Sequence, residues 1–486
     1  MEQLQSFNQL FVGGDLSGIQ KFLYNISSKK AAVSLKGRSY YLSQLMKNVC
    51  ADIKRAVEVE GAKTTKVIYC SGGKFYLLTD NTPQIVEAVE NCANQAKQKL
   101  WEKHKGQLGL SVSFMAFHEN PDGSVDCQDA FQQLPGYLWK MVNADFGHQK
   151  NQKFKELLTD SYESFFEPIP VGGKPKVCAV TGIESPDCVK MKDLSDFVLP
   201  LVYQQMLLGE ELQKQDGFKT FEDYANNTNL GILRMDIDGL GKRFIEGFSS
   251  IPEYEAFSNR LLDFFEKEVL LIQREPSFKP FLNIIYAGGD DLFVVGRWDK
   301  TIDFAERIHN EIKDHFGNDG ISISGGIAVV HHKYPISKAA ELAGEAEDAA
   351  KQFRDGEKNA FHMLGKTVSW DKEFDYVKSF KQQFVSLIKD YGLSKGILHK
   401  LMLYSSIADR NKVLRKEGKQ EDFSYVWHIS YYLTRYMKRY ESNRAVCDFC
   451  RSLRDKEIDY RDSRKLELIA LAARWAELIL KDDINN

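Results

Sequence analysis

The spacing of apolar residues changes period several times along the chain, and each change marks an element. Apolar residues alternate with serine over 110–114 and 321–323, the period-two pattern of a strand with one buried face. Short apolar runs flank a Gly-Gly turn at 67–70 and 75–78, and again at 283–286 and 292–295, which predicts two β-hairpins. Helical spacing fills 39–57, 85–100, 255–272 and 302–316. From about residue 367 glycine nearly vanishes and the spacing is helical, as in Phe380, Phe384, Leu387 and Tyr391, then Leu466, Ile469, Ala470 and Ala473.

Three of these blocks recur in order. Asp15-Leu-Ser-Gly-Ile matches Asp236-Ile-Asp-Gly-Leu, Ser71-Gly-Gly-Lys-Phe matches Ala287-Gly-Gly-Asp-Asp, and Gly109-Leu-Ser-Val-Ser matches Gly320-Ile-Ser-Ile-Ser. The offsets of 221, 216 and 211 residues drift as loop lengths do, and three matches in register point to an internal duplication. In each copy the order is strand, helices, hairpin, helix, strand, that of a ferredoxin-like palm. The expected fold is α+β: a first palm over 1–160, a linker module over 161–225 marked by Pro168, Pro170, Gly172, Gly173 and Pro175, a second palm over 226–366, and an all-helical C-terminal domain over 367–486.

Composition narrows the class without naming an activity. The 486 residues suffice for about three domains, and 43% apolar with 27% charged residues is ordinary globular composition. Net charge is −3, so any nucleic-acid contact requires a local patch. One stretch qualifies as a candidate: 395–465 holds 17 Lys or Arg against 10 Asp or Glu, with Tyr425, Trp427, Tyr431 and Tyr432 interleaved, a nucleic-acid face or a solvated helical surface. The first eleven residues include Glu2 and have neither a basic nor a long apolar region, so no signal peptide is expected. The most apolar run, 197–208, is about half the length of a membrane span and is broken by Gln204 and Gln205. Eight cysteines are too few for a disulfide framework in so long a chain, and a reducing cytoplasm is expected.

The second copy carries the chemistry-bearing residues. Asp236 and Asp238 end one strand, and Asp290 and Asp291 sit in the hairpin turn. If these strands are neighbours, three or four carboxylates converge, and like charges that close need a cation. Mg²⁺ or Mn²⁺ with oxygen ligands suits them, held by Asp236, Asp290, Asp291 and the carbonyl of Ile237, activating a hydroxyl and stabilising a leaving pyrophosphate. Gly288 and Gly289 would let backbone approach a phosphate, with Asp238 and Gly239 beside them. By itself an Asp-Asp in a hairpin is turn chemistry; the matching strand and the repeat give it the catalytic reading. In the first copy Ser17 aligns with Asp238, Lys74 with Asp290 and Phe75 with Asp291, so that palm is expected to bind a nucleotide or to close the site, with Ser17, Gly18, Gly72, Gly73 and Lys74 as its candidate nucleotide-binding residues.

These residues resemble the large polymerase-cyclase subunit of type III CRISPR effector complexes, closest to the type III-A form. The resemblance rests on Gly14-Asp-Leu-Ser-Gly-Ile-Gln-Lys-Phe-Leu-Tyr, Leu35-Lys-Gly-Arg-Ser-Tyr-Tyr-Leu, Asp236-Ile-Asp-Gly-Leu, Tyr286-Ala-Gly-Gly-Asp-Asp-Leu-Phe and Ala346-Glu-Asp-Ala-Ala-Lys. Leu393-Ser-Lys-Gly-Ile-Leu and Trp427 extend it into the tail. It implies a nucleotidyltransferase that joins ATP into cyclic oligoadenylates when target RNA pairs with guide RNA held by neighbouring subunits, an antiviral function. It also implies that Asp236, Asp290 and Asp291 hold the metals and that Lys351 meets the triphosphate, although Lys351 among Glu345, Glu347 and Asp348 also reads as a surface ion pair.

Two departures shape the expectation. The family's nuclease domain carries a His-Asp pair, no His-Asp dipeptide occurs here, and no cleavage of single-stranded DNA by this chain is expected. The family's Cys-x-x-Cys ribbon is reduced to Cys178 with Cys188 beyond it, while Cys447 and Cys450 have ligand spacing but no second pair nearby. A structural zinc needs four ligands, and paired thiols in a helical domain are more often core residues. Two alternatives remain at the level of sequence: a free-standing signalling cyclase of the GGDEF or adenylate-cyclase kind, and a non-catalytic scaffold subunit.

Overall fold

The computed structural model describes residues 7–485 except 28–29, 129, 153–154, 156–173, 192–195, 227 and 459–462. Glu2, and the linker residues Pro168, Pro170, Gly172 and Gly173, lie outside the described residues. The chain falls into two compact units, one of Met1–Ser322 with Val330–Leu342, the other of Ile323–Val329 with Ala343–Asn486. Among the described residues no helix is long and apolar enough to cross a membrane.

The first unit opens with β1 (Gln9–Ser17), α1 (Ile19–Tyr24), α2 (Ala31–Val59), β2 (Thr65–Ser71), β3 (Lys74–Asp80), α3 (Pro83–His104), β4 (Gly109–Glu119), β5 (Val125–Cys127), β6 (Ala130–Gln133) and α4 (Gly136–Asn151). The strands form one sheet in the order β2-β3-β1-β4-β5-β6, and the first four reproduce the ferredoxin-like palm. On one face, Leu42, Met46, Val49, Ile53 and Val57 of α2, spaced three or four apart, bury against Leu10, Val12, Phe75 and Leu77. Thr82 starts α3 by accepting a hydrogen bond from the Ile85 amide at 3.3 Å, with Pro83 at the first helical position. On the other face α4 lies so close at Gly13 that a Cβ there would stand 2.7 Å from Val142.

Helix α2 begins eight residues before the start that the spacing predicts. Its first two turns are buried nearly all round, so they carry no amphipathic stripe. The cause is α5 (Pro200–Asp216), which crosses at two facing glycines: a Cβ on Gly37 would lie 1.9 Å from the Gln205 carbonyl oxygen, and one on Gly209 2.1 Å from that of Val33. Before α5, β7 (Lys176–Val177) pairs with β8 (Glu184–Ser185) and β9 (Val189–Lys190) with β10 (Phe197–Val198). After α6 (Phe221–Ala225) come β11 (Asn229–Asp238), α7 (Leu240–Glu246) and α8 (Ile251–Asp263), then a π turn at Phe264–Glu268 that interrupts the expected single helix, and α9 (Val269–Gln273). Strands β12 (Leu282–Gly288) and β13 (Asp291–Arg297) join β11 in the order β12-β13-β11, repeating β2-β3-β1, and α10 (Trp298–Phe316) follows.

β14 (Ser322–His331) and α11 (Ile336–Lys351) contribute to both units. Within the second unit β14 pairs in parallel with β15 (Ala360–Met363), which pairs antiparallel with β16 (Lys366–Ser369). Helices α12 (Asp375–Lys389), α13 (Gly396–Lys416), α14 (Ser424–Arg439), α15 (Arg444–Ser452) and α16 (Ser463–Asn485) form the tail. Phe380, Phe384 and Leu387 are buried as the spacing predicts, and so are Leu466, Ile469, Ala470 and Ala473; Tyr391 lies past the end of α12 and is exposed. Buried Glu373 ties α16 to the strands: Arg464 donates to both its oxygens at 2.9 and 2.6 Å, Arg354 at 2.6 Å and the Ser369 amide at 3.0 Å.

Candidate active site

The carboxylates converge where β11 and β13 end. Asp236 is the direct cross-strand partner of Asp291, and their carboxylate oxygens come within 4.8 Å of one another. The Ile237 amide donates to the Asp290 carbonyl at 3.1 Å, so the pairing continues into the turn. Asp236, Asp290 and Asp291 are half-buried, while Asp238 is buried and accepts from the Ser322 hydroxyl at 2.7 Å. An all-oxygen donor set on two rigid strands fits a hard divalent cation, with Asp236 and Asp291 as its natural ligands.

The first palm shows the same frame with different charges, and its register corrects the sequence alignment by one residue. Across the sheet Asp236 faces Asp291, and Asp15 faces Lys74. In the hairpins Gly288 faces Asp291, and Ser71 faces Lys74. Both hairpins carry a register shift at the same place, between Val67 and Tyr69 and between Ile284 and Tyr286. Lys74 therefore occupies the place of Asp291, and Gly73 that of Asp290; the alignment of Lys74 with Asp290 and Phe75 with Asp291 was misled by the Gly-Gly letters. The turns differ to match: Gly72 and Gly73 both have positive φ, at 60° and 81°, whereas in the second palm only Gly289 of the two loop residues does, at 72°. Those signs are the type I′ and type II′ patterns, and they place the two glycines one position apart. Asp15 keeps its carboxylate but is bound by the Lys150 ammonium at 2.5 Å, so an internal cation satisfies it.

The hairpins meet tip to tip. A Cβ on Gly289 would lie 2.9 Å from the Gly72 Cα and 2.9 Å from the Tyr69 hydroxyl; one on Gly72 would lie 3.0 Å from the Gly289 Cα and 3.4 Å from the Tyr286 hydroxyl. Tyr69 and Tyr286 occupy equivalent strand positions, so each hairpin presses its tyrosine against the other's glycine. The Gly289 amide donates to the Ser71 hydroxyl at 3.0 Å across this joint. Burial raises both tyrosine pKa values well above the ordinary phenol range, and the nearby Asp290, with Asp291 for Tyr286, adds to it. Both hydroxyls thus stay protonated beside the carboxylates. The glycines have a packing reason here that the sequence did not reveal.

A cavity of about 370 Å³ opens between the palms, lined among others by Gly18, Ile19, Lys21, Gly72, Tyr286 and Asp291. Lys21, Arg234, Ser71 and the two tyrosines are the residues that sequence reasoning missed as site candidates. Lys21 belongs to the Gly14-Asp-Leu-Ser-Gly-Ile-Gln-Lys-Phe-Leu-Tyr stretch, whose letters do not place it beside Asp291. Of the other candidates, Ser17 donates to the Gly109 carbonyl at 3.2 Å, and Gly18 takes φ +89° where a Cβ would strike the Gln107 oxygen at 2.3 Å. Gly73 packs on Ile19, Gly239 has φ +70° with open space around it, and Lys74 is exposed. In the second unit Lys351 donates to buried Glu347 at 2.7 Å. The Leu35-Lys-Gly-Arg motif is part of the scaffold: Lys36 donates to the Ile284 carbonyl at 2.7 Å, and buried Arg38 to those of Phe22 and Asn25 at 2.6 and 3.0 Å. Cys178 and Cys188 are buried among the short strands, and the Cys447 thiol reaches the Tyr440 carbonyl at 3.2 Å.

Fold and site together define a twin-palm protein with one acidic and one charge-neutralised palm. Family models agree: residues 8–168 match the Csm1 subunit domain B, and 229–362 match the second palm domain of Cas10/Cmr2. Residues 8–168 and 229–362 thus carry domains of the Cas10/Csm1 kind. It is 27% identical over 462 residues to the Cas10/Csm1 protein (subtype III-A) of Enterococcus italicus, described as a CRISPR system single-strand-specific deoxyribonuclease, covering 81% of this chain and 59% of that one. It spans about three fifths of the length of the curated relatives it matches. Crystal structures of a Csm1–Csm4 cassette share the fold: the complex with pppApA has a TM-score of 0.68 at 18% identity, covering 97% of this chain and 69% of that one. The complex with cA4 has a TM-score of 0.67 at 18% identity, covering 98% and 71%.

Proposed function

We propose that this chain is the nucleotidyltransferase subunit of a type III CRISPR effector complex, joining ATP into cyclic oligoadenylates when guide-paired target RNA is bound. The observation that carries the reading is the cross-strand pair Asp236 and Asp291, of which Asp291 lines a cavity formed by both palms. That the cassettes of related fold were solved with pppApA and with cA4 supports the choice of adenine nucleotides. Csm4-like and other complex subunits, with guide and target RNA, are the expected partners, and the cytoplasm is the expected compartment.

In this reading Asp236 and Asp291 would hold Mg²⁺ or Mn²⁺, with Asp290 and the Ile237 carbonyl beside them. A divalent cation there would activate the attacking hydroxyl and offset the charge on the leaving pyrophosphate. Lys21 and Arg234 supply positive charge at the cavity wall, suited to phosphate oxygens. The tip-to-tip joint holds the Asp290–Asp291 turn in one place, so the first palm acts as both wall and brace. Lys150 leaves its own acid satisfied and Lys74 stands in the place of Asp291, consistent with one reacting palm.

The test is incubation of the chain with ATP and Mg²⁺, alone and with guide-bound partner subunits plus target RNA, followed by product mass analysis. Ring-closed oligoadenylates that need target RNA and vanish in the Asp290→Ala, Asp291→Ala double variant are expected. Undiminished product from that variant sinks the catalytic assignment. Full activity without RNA would point to a free-standing cyclase, and no product under any condition to a scaffold.

A further inference from the structure

Helix α14 in the tail presents a face that the palms do not account for. Trp427 and Tyr431 are each 60% exposed, and Phe423, four residues earlier, is 45% exposed. With Arg435 they follow at intervals of four, so all lie along one side, each about 6 Å further along the axis. That spacing separates the rings enough to take individual bases. The Arg435 guanidinium sits 5.8 Å over the Tyr431 ring, and the His428 ring stacks on Trp427 at 3.7 Å, which fixes both aromatic planes. Arg435, Lys438 and Arg439 are exposed, and the helix contains no Asp or Glu. The acids just before it are engaged: Asp422 accepts from the Ser424 amide at 2.8 Å, and Glu421 binds Arg415 at 2.7 Å.

We propose that this face of α14 is a direct binding platform for single-stranded RNA, with bases stacking on Trp427 and Tyr431 and phosphates meeting Arg435, Lys438 and Arg439. Stacking on exposed rings beside cations is how single strands are held without sequence preference. A purely apolar protein partner would be poorly matched by a helix side with three cations and no carboxylate. The exposed Tyr431 hydroxyl beside the strand offers a partner for the ribose 2′-hydroxyl, the group that separates RNA from DNA. Exposed Leu403 and Val413 on the neighbouring α13 make a protein partner the competing occupant. The platform stands independently of the activity proposed for the palms.

The experiment is fluorescence anisotropy of a labelled uridine-rich single-stranded RNA with the full chain, at several salt concentrations. Trp427→Ala with Tyr431→Ala is expected to weaken binding by roughly tenfold or more for each ring. Arg435→Gln with Lys438→Gln should weaken it and reduce the salt slope by about 1.4. All four side chains are at the surface, and circular dichroism checks that the fold is kept. Unchanged RNA affinity in the aromatic variant overturns the proposal, as does equal or tighter binding of the matching DNA. Loss of co-assembly with partner subunits at unchanged RNA affinity overturns it in favour of a protein interface.

Discussion

Single residues carry more here through backbone geometry than through side-chain identity. Gly289 sits at positive φ with its neighbour's Cα already at contact distance, so Gly289→Ala meets both a conformational cost of about 1–2 kcal/mol and a clash with Gly72. Reduced thermal stability together with loss of nucleotide turnover is expected, whereas Gly320→Ala, at φ +70° with open space, should show only the conformational part. Calorimetry on the two variants separates these outcomes. His104 offers a pH handle: burial first, then Lys103 and Arg38, lowers its pKa from 6.5 to about 4, while its ring bonds the Tyr41 hydroxyl at 2.8 Å. The unfolded chain binds that proton more readily, so the contribution is complete above about pH 6.5 and is lost as pH falls toward 4. Denaturant midpoints should drop across that window, and by less in His104→Gln.

At the scale of elements, glycine in a helix reverses its usual sign. Gly→Ala in an exposed helix interior normally stabilises by about 1 kcal/mol. Gly37→Ala should instead destabilise, because the new methyl meets a backbone carbonyl of α5 that cannot give way. A rise in unfolding midpoint would show that the α2–α5 crossing is looser than the structure has it. In the tail, Glu373 is held ionised against its burial by Arg464 and Arg354, and its pKa stays below the usual carboxylate value. Arg464→Met would leave Glu373 with Arg354 and the Ser369 amide, so a loss smaller than the about 3–5 kcal/mol of a fully unpaired buried charge is expected, read by urea unfolding. These couplings explain the sequence misses. Residues 31–38 lacked a stripe because two surfaces bury them, and the π turn at Phe264–Glu268 leaves no signature in apolar spacing.

Across the whole molecule the duplication is a comparison built into one chain. The two palms share strand order, the position of the register shift and the facing tyrosines, and they differ chiefly where Lys74 stands for Asp291 and Lys150 binds Asp15. Lys74→Asp with Lys150→Met should therefore create a second acidic pair. Manganese titration followed by electron paramagnetic resonance is expected to show one more bound ion per chain than the parent. An unchanged count would mean that the asymmetry resides beyond these two lysines.

The sequence alone determined the palms, their strands, the helical tail and the acidic cluster, because periodicity and repeated turn letters record local conformation directly. It could not set the hairpin register, since Gly-Gly looks the same in a type I′ and a type II′ turn while the pairing differs by one residue. Nor could it show that the turns touch, that Ser71 receives the Gly289 amide, or that Lys21 shares a cavity with Asp291. Those facts join residues some 200 or more positions apart, and only packing brings such residues together.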